Sequence, residues 1–393
     1  MTATTILTSG APLPWERYHN GQRTAVIGGA LFEGLAQTPE EADEKIQAGA
    51  ITVGACHDYG CIGSLAGIYT ASMPVFVVEN RTMGNRAFCN FYEGESRKRL
   101  NYGVYDDDVR RGLMFIQEVI APVIAEAVRR AEDGVPLRPL MRRAIHQGDE
   151  LHSRNTAATL LFTRELFPHL LDVAEDMPTE VSRTLAFLKE SDYFFLRLSM
   201  AAGKATADAA HGIEGSSIVT AMSFSCRELS IRVSGLGDEW LRGPLPDVEA
   251  KLFEGFTKDD VVWMGGESSI NETVGLGGFV QAAAFPLQAY QGGSAEEMIR
   301  MNLEMYEITV GEHPEFRIPY FSYRGAPTGI DIFKVVEKGI TPVIDAGVAG
   351  KDGGQIGAGV VRPPMGCFHA AADAYRRRYG SAVADAPVAD GSI

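Results

Sequence analysis

A mixed α/β fold carrying a helical insert is what this sequence predicts, and three observations carry the prediction. Short Val-, Ile- and Phe-rich runs bounded by Gly, Pro and Asp punctuate both ends of the chain, as buried strands require. Between them, from about Asp106 to Gly212, apolar residues recur at steps of three and four, the period of an α-helix. Length supplies the third, since 393 residues exceed what one hydrophobic core ordinarily supports, so two intertwined domains are expected. The expected division is a discontinuous α/β domain from residues 1–105 and 213–380, a helical domain at 106–212 and a flexible tail at 381–393.

In chain order, Thr24–Phe32 and Met73–Val78 read as buried strand or strand-to-helix segments. Between them Thr38-Pro39-Glu40-Glu41 opens a helix, with Pro in the first turn and acidic residues meeting the helix dipole. Asp106 caps a stripe of Val109, Leu113, Ile116, Ile120, Val123 and Ala127, and Pro122 predicts a kink inside it. Further helices are expected over Leu151–Leu171 and Thr179–His211. Ser230–Ser234 alternates polar and apolar residues as a half-buried strand does. Gly275–Gly278 should lead into an apolar helix, Ala295–Ile308 should be a helix, and Ile318–Tyr323 a strand. Thr341–Gly347 reads as a strand entering a glycine loop that continues to Gly359, and a last helix follows Pro363-Pro364 with Arg376–Arg378 at its basic end.

Composition bounds the function. Hydrophobic residues at 45% and charged residues at 22% are those of an ordinary folded protein. A net charge of −15 argues against a nucleic-acid or anionic-membrane surface, yet allows a small anionic substrate held by local cations. No apolar run approaches the roughly 20 residues a bilayer span needs. Five cysteines with no basic-then-apolar leader ahead of Ile6 predict a cytoplasmic chain with reduced thiols. Cys56-His57-Asp58-Tyr59-Gly60-Cys61 has metal-like spacing, but no second Cys pair matches it, so no metal or other cofactor is expected.

The densest polar segment is Gly148–Asn155. If helical from Asp149, it puts Glu150 and Arg154 one turn apart, with Asp149 and His152 on an adjoining face; an N-cap plus an ion pair on a solvated face is the alternative. Lys204, Asp208 and His211 recur on one face of an Ala-rich helix, either as a site or as an exposed charged stripe. Arg232 projects from the Ser230 strand, and Asn271, Glu272 and Thr273 end a polar loop. The Gly275–Gly278 and Gly353–Gly359 stretches offer backbone N–H groups to an anion. Neither is a nucleotide signature: Val280 stands where a dinucleotide fingerprint needs Gly, and Ala205 follows Gly203-Lys204 where a P-loop needs Ser or Thr. Asp331 and Asp345 are further acid, base or orienting candidates beside the commoner turn role.

Six strings in order carry a resemblance: Asn85–Cys89, Gly148–Asn155, Ile231–Asp238, Glu272–Phe279, Met305–Thr309 and Gly354–Gly359. Together they resemble the YlbE/AllG family, over about Ile6 to Phe368. Two departures stand out. Longer members carry an N-terminal segment before the stretch resembling Leu7–Pro12, so a short form is expected, and Ser223–Cys226 replaces an Arg-Asn-Gly pattern. The resemblance implies an irregular two-domain α/β fold and a subunit of oxamate carbamoyltransferase. That enzyme works beside an FdrA-type protein in purine and allantoin breakdown, interconverting oxalurate plus phosphate with oxamate plus carbamoyl phosphate. The partners expected are a small ureido acid, phosphate, an FdrA-like protein and further copies of the chain.

Such chemistry needs cations or N–H donors for two anions and a proton donor for the departing nitrogen. Arg154, Asn155, Lys204 and Arg232, with Gly275, Gly277, Gly278, Gln355 and Gly357, are the expected anion-binding groups. His152 and His211 are the expected proton carriers, oriented by Asp149, Glu150, Asp208 or Glu272. Two other classes stay open. One is a hydrolase of cyclic ureides, with a metal on His57, Asp149, Glu150 or His152. The other is a non-catalytic subunit.

Overall fold

The computed structural model describes residues 1–380 of the chain. Helices alternate with several small sheets, none among the described residues wider than four strands. Thr5–Thr8 pairs in parallel with Thr52–Ala55, Ile6 opposite Val53 and Leu7 opposite Gly54. Parallel neighbours need a crossover, here the helices Asn20–Phe32 and Pro39–Gln47. Thr24–Phe32 is thus helical, not a strand. Its glycines mark close packing: a Cβ on Gly28 would stand 2.7 Å from Tyr105, and one on Gly29 2.9 Å from Ile68. Thr38 caps the second helix through Glu41 N–H at 3.1 Å, as the sequence predicts.

Val75–Asn80 and Asn85–Asn90 form an antiparallel hairpin lying against the helix Leu196–Ala209. Asp106 accepts the Val109 N–H at 2.9 Å and starts Asp107–Phe115. That helix passes through a π-turn, Ile116–Ile120, into Ala121–Arg130. Pro122 has no N–H to give the preceding turn, and the widened turn accommodates the expected interruption. Leu137–Ile145, Thr156–Ala174 and Pro178–Lys189 complete the helical segment. Its core of Ile120, Ile124, Phe162, Leu166, Phe194 and Phe195 continues into Phe76, Phe91, Leu276 and Phe316, so helices and hairpins share one interior.

Downstream, Val219–Phe224, Leu229–Val233 and Leu241–Gly243 make an antiparallel sheet. A second sheet orders Val248–Leu252, Gln355–Val361, Ile344–Gly350 and Val261–Val262. Gly357 and Gly359 therefore sit in a strand rather than a loop, and a Cβ there would meet Lys251 O at 2.6 Å and Glu249 O at 2.0 Å. Gly275–Gly278 leads into successive 3₁₀ turns, not an apolar helix. Thr309–Ile318 is the strand whose end was expected to begin one, followed by the turn Pro319–Phe321. Ala295–Glu307 is helical, and Met365–Tyr379 closes the described chain with Arg376–Arg378 in its last turn. All five cysteines are unpaired and buried. No described helix is long and apolar enough to cross a membrane. The expected tail at 381–393 lies outside the described residues.

Candidate active site

Gly148–Asn155 is not helical; the helix begins at Thr156. Leu151 has φ 71°, a left-handed conformation unusual for a bulky residue. It is held there by its N–H to Arg154 O at 3.1 Å and by Ser199 Oγ and Asn271 Nδ2 on its carbonyl at 3.0 and 2.9 Å. Glu150 folds back beneath the loop: its carboxylate accepts the N–H of His152 at 2.8 Å, of Arg154 at 3.1 Å, and of Ser153. Asp149 accepts the Ala158 N–H at 2.7 Å at the start of the next helix, with Arg154 Nε 3.4 Å away. Asn155 bonds His152 O at 2.8 Å. Asp149, Glu150, Arg154 and Asn155 thus shape the loop, and the expected one-turn Glu150–Arg154 pair is absent because no helix spaces it.

What the loop presents is His152. Its Nδ1 lies 2.7 Å from Glu272 Oε1. Glu272 is fully buried and also takes the N–H of Gly278 at 3.0 Å and of Asp345 at 3.1 Å. Burial pulls the imidazole pKa down, but the Glu272 carboxylate, aided by Asp345, outweighs it and leaves the pKa raised. With Nδ1 engaged, Nε2 is the nitrogen left for a ligand. Asp345, held by Gln281 at 2.6 Å and Gln291 at 3.2 Å, is pushed up to about 6 by burial and by the charge of Glu272. Burial and Asp345 likewise raise Glu150 well above the carboxylate range. The glycines serve this acid cluster, not a phosphate: Gly275 N–H bonds Glu272 O, Gly277 N–H bonds Glu150 O, and Gly278 N–H bonds Glu272 Oε1.

His152 faces a cavity of about 50 Å³ that sequence reasoning did not foresee. Its cations are Arg99 and Arg197, not Arg154, Lys204 or Arg232. Both are buried, at 8% and 3% exposure. Arg99 lies 4.5 Å over the Tyr102 ring and donates to Tyr92 Oη at 3.2 Å and Gln355 Oε1 at 3.1 Å. Arg197 donates to Asn90 Oδ1 at 3.0 Å. Among the described residues neither forms an ion pair, and each Nε lacks an acceptor. Tyr193 and Tyr290 give the wall an aromatic surface, while Ser64, Ser153, Ser268 and Asn101 add polar groups. A buried guanidinium without a counter-charge is costly unless an anion joins it. One signal was available: Arg197 is a lone cation in Phe194-Phe195-Leu196-Arg197-Leu198. Arg99, inside Arg97-Lys98-Arg99, had none.

Lys204, Asp208, His211 and Arg232 gather elsewhere, around His57 and Trp240. Lys204 Nζ bonds Asp208 at 2.5 Å and His57 O at 3.4 Å, while Arg232 bonds Asp58 at 2.8 Å. His211 Nδ1 pairs with Thr220 Oγ1 at 2.7 Å. Burial, then Lys204, Arg232 and His211, press His57 well below the imidazole range. His57 thus sits with Lys204, Arg232 and His211 rather than with Asp149, Glu150 and His152, the other metal-binding candidates of the hydrolase alternative, and among the described residues no three His, Cys, Asp or Glu side chains gather around one ion position.

Fold and pocket together define a class: a mixed α/β protein with a buried, doubly basic cavity backed by an imidazole–carboxylate pair. Comparison narrows it. The family described as oxamate carbamoyltransferase subunit AllG matches residues 51–268. The oxamate carbamoyltransferase subunit AllG of Escherichia coli K12 is 38% identical over 379 residues, covering 96% of this chain and 90% of that one. The uncharacterized protein YahG of the same strain is 40% identical, covering 97% and 80%. A crystal structure of a conserved protein of unknown function from Enterococcus faecalis V583 superposes with a TM-score of 0.92 at 38% identity, covering 96% and 90%. The chain belongs to the AllG family.

Proposed function

We propose that the central cavity carries carbamoyl transfer on a small ureido acid, converting oxalurate and phosphate to oxamate and carbamoyl phosphate. The observation that supports this most is the pair of buried guanidiniums, Arg99 and Arg197, that form no direct ion pair among the described residues, with Glu93 and Glu95 acting on Arg99 only through space; they flank an imidazole that a buried carboxylate keeps basic. One guanidinium takes the carboxylate and the other the phosphate. A phosphate oxygen attacks the ureido carbon, and the tetrahedral oxyanion meets hydroxyl and amide donors of the wall. The bond from that carbon to the oxamate nitrogen then breaks, the nitrogen keeping the electron pair. His152, protonated at Nε2, gives it a proton and is recharged by the attacking hydrogen phosphate.

The relative's description as a subunit supports assembly with a further protein, here proposed as FdrA-like. The test is oxalurate-dependent formation of carbamoyl phosphate by the purified chain, alone and with such a partner. Product whose formation falls at least about tenfold in both Arg99→Met and Arg197→Met, as loss of a charge-assisted contact requires, supports the reading. Release of oxamate and carbamate, the latter decomposing to ammonia and bicarbonate, without phosphate dependence supports a hydrolase instead. No turnover under either condition refutes the proposal.

A further inference from the structure

The Lys204–Arg232 cluster shares no side chain with the central cavity and is built differently. Arg232 lies 4.2 Å over the Trp240 ring, His57 meets that ring edge-on at 5.5 Å, and Lys204 bonds the His57 carbonyl. Lys204, Arg232 and His57 are at least nine-tenths buried. Among the described residues four polar atoms here have no hydrogen-bond partner: Arg232 Nε, Trp240 Nε1, His57 Nε2 and His211 Nε2. The first two can only donate, so what they lack is an acceptor.

The acidic neighbours lie on the solvent side. Asp58 on Arg232 and Asp208 on Lys204 have side chains 36% and 31% exposed. Asp238 is 89% exposed and stands 3.4 Å from His211 Nε2 and 3.9 Å from Arg232, close enough to attract but too far to bond well. Glu267 is 4.0 Å from His57 Nε2, but it is occupied by the N–H groups of Gly10 and Gly63 and the Ser223 hydroxyl. Apart from Glu267, the buried charged groups are cations, and the three aspartates are the exposed ones.

We propose that this cluster is a second binding site, for a small oxyanion of the phosphate type, over which the exposed Asp238 carboxylate lies in the free protein. Its donors come from a strand, a helix, a 3₁₀ turn and a loop, and so approach from several directions. That suits a tetrahedral oxyanion better than a planar carboxylate. The inference does not depend on the reading of the central cavity.

The experiment titrates the whole chain with inorganic phosphate, reading tryptophan fluorescence and ³¹P line broadening. A saturable response in both is expected. Trp240→Phe should remove the fluorescence change, and Arg232→Met should weaken binding more than tenfold by ³¹P. Asp238→Asn should tighten binding about tenfold by removing a like charge beside the site, while Arg197→Met leaves the tryptophan response intact and alters only the ³¹P broadening contributed by the central cavity. Should Arg232→Met lose its near-ultraviolet dichroism, Asp238→Asn and Trp240→Phe decide alone. Four outcomes overturn the proposal: no saturable response, a response indifferent to Asp238→Asn, a tryptophan response lost in Arg197→Met, which moves the phosphate to the central cavity, or acetate acting as strongly as phosphate.

Discussion

Replacing Arg197 by methionine separates function from stability with unusual clarity. In the free protein Arg197 is 3% exposed, makes one hydrogen bond, to Asn90, and leaves Nε without a partner among the described residues. Methionine fills a similar volume without the charge. Exchanging a buried ion for a well-packed apolar residue is worth about 1–4 kcal/mol, and loss of the Asn90 bond takes back about 1 kcal/mol. Net stability should therefore stay level or rise by up to about 3 kcal/mol. The ligand-bound state loses a charge-assisted contact of about 1.5–3 kcal/mol, or about 10- to 150-fold in kcat/KM. Calorimetric melting and carbamoyl phosphate formation, measured on the same preparations, give the two numbers. A melting temperature several degrees lower would show Arg197 to be structural. An unchanged kcat/KM would refute its role in binding.

Three further outcomes follow from the acid cluster and the loop. Glu272→Gln removes the charge that raises the His152 pKa, so burial dominates and the pH–rate limb set by His152 moves to lower pH; a limb that stays put excludes His152 as the titrating group. In the native protein the stabilisation from that pair is full below the unfolded imidazole value of about 6.5, is lost as pH rises through the raised folded value, and should vanish from melting curves of the variant. Asp345 has a folded pKa raised to about 6 from 3.8, so its contribution is complete below the lower value and is lost as pH rises to the upper one. Asp345→Asn should flatten that part of the stability–pH curve, and an unaltered slope counts against its burial as an acid. Asp149→Ala removes the cap on Ala158 N–H and should cost about 1 kcal/mol in denaturant melts; no loss would contradict the capping role.

Local chemistry was legible in the sequence wherever neighbours in the chain decide it. The Thr38 and Asp106 caps, the disturbance at Pro122 and the helix ending in Arg376–Arg378 all formed as composition and spacing dictate. Glycines misled in two ways. In Asn20–Phe32 they allow a helix to pack closely, and at Gly357 and Gly359 they let a neighbouring strand approach. The second use leaves the same sequence signal as a loop, and the first leaves an apolar run that reads as a strand or a strand-to-helix segment. At Gly148–Asn155 the sequence shows a dense polar cluster but not its backbone conformation, because Leu151 is held left-handed by Ser199 and Asn271, which are distant in sequence. The cavity depends even more on long-range contacts. Arg99, Arg197 and Gln355 meet only after the hairpin, the helices and the second sheet have packed. His152 and Glu272, 120 positions apart, were each named, and only the fold shows them bonded.

The most direct test is a crystal structure of this chain with oxamate. Oxamate with its carboxylate on one of the two guanidiniums, Arg99 or Arg197, and its nitrogen within hydrogen-bond reach of His152 Nε2, is the predicted result. Oxamate bound anywhere else, with both guanidiniums unengaged, would contradict the account.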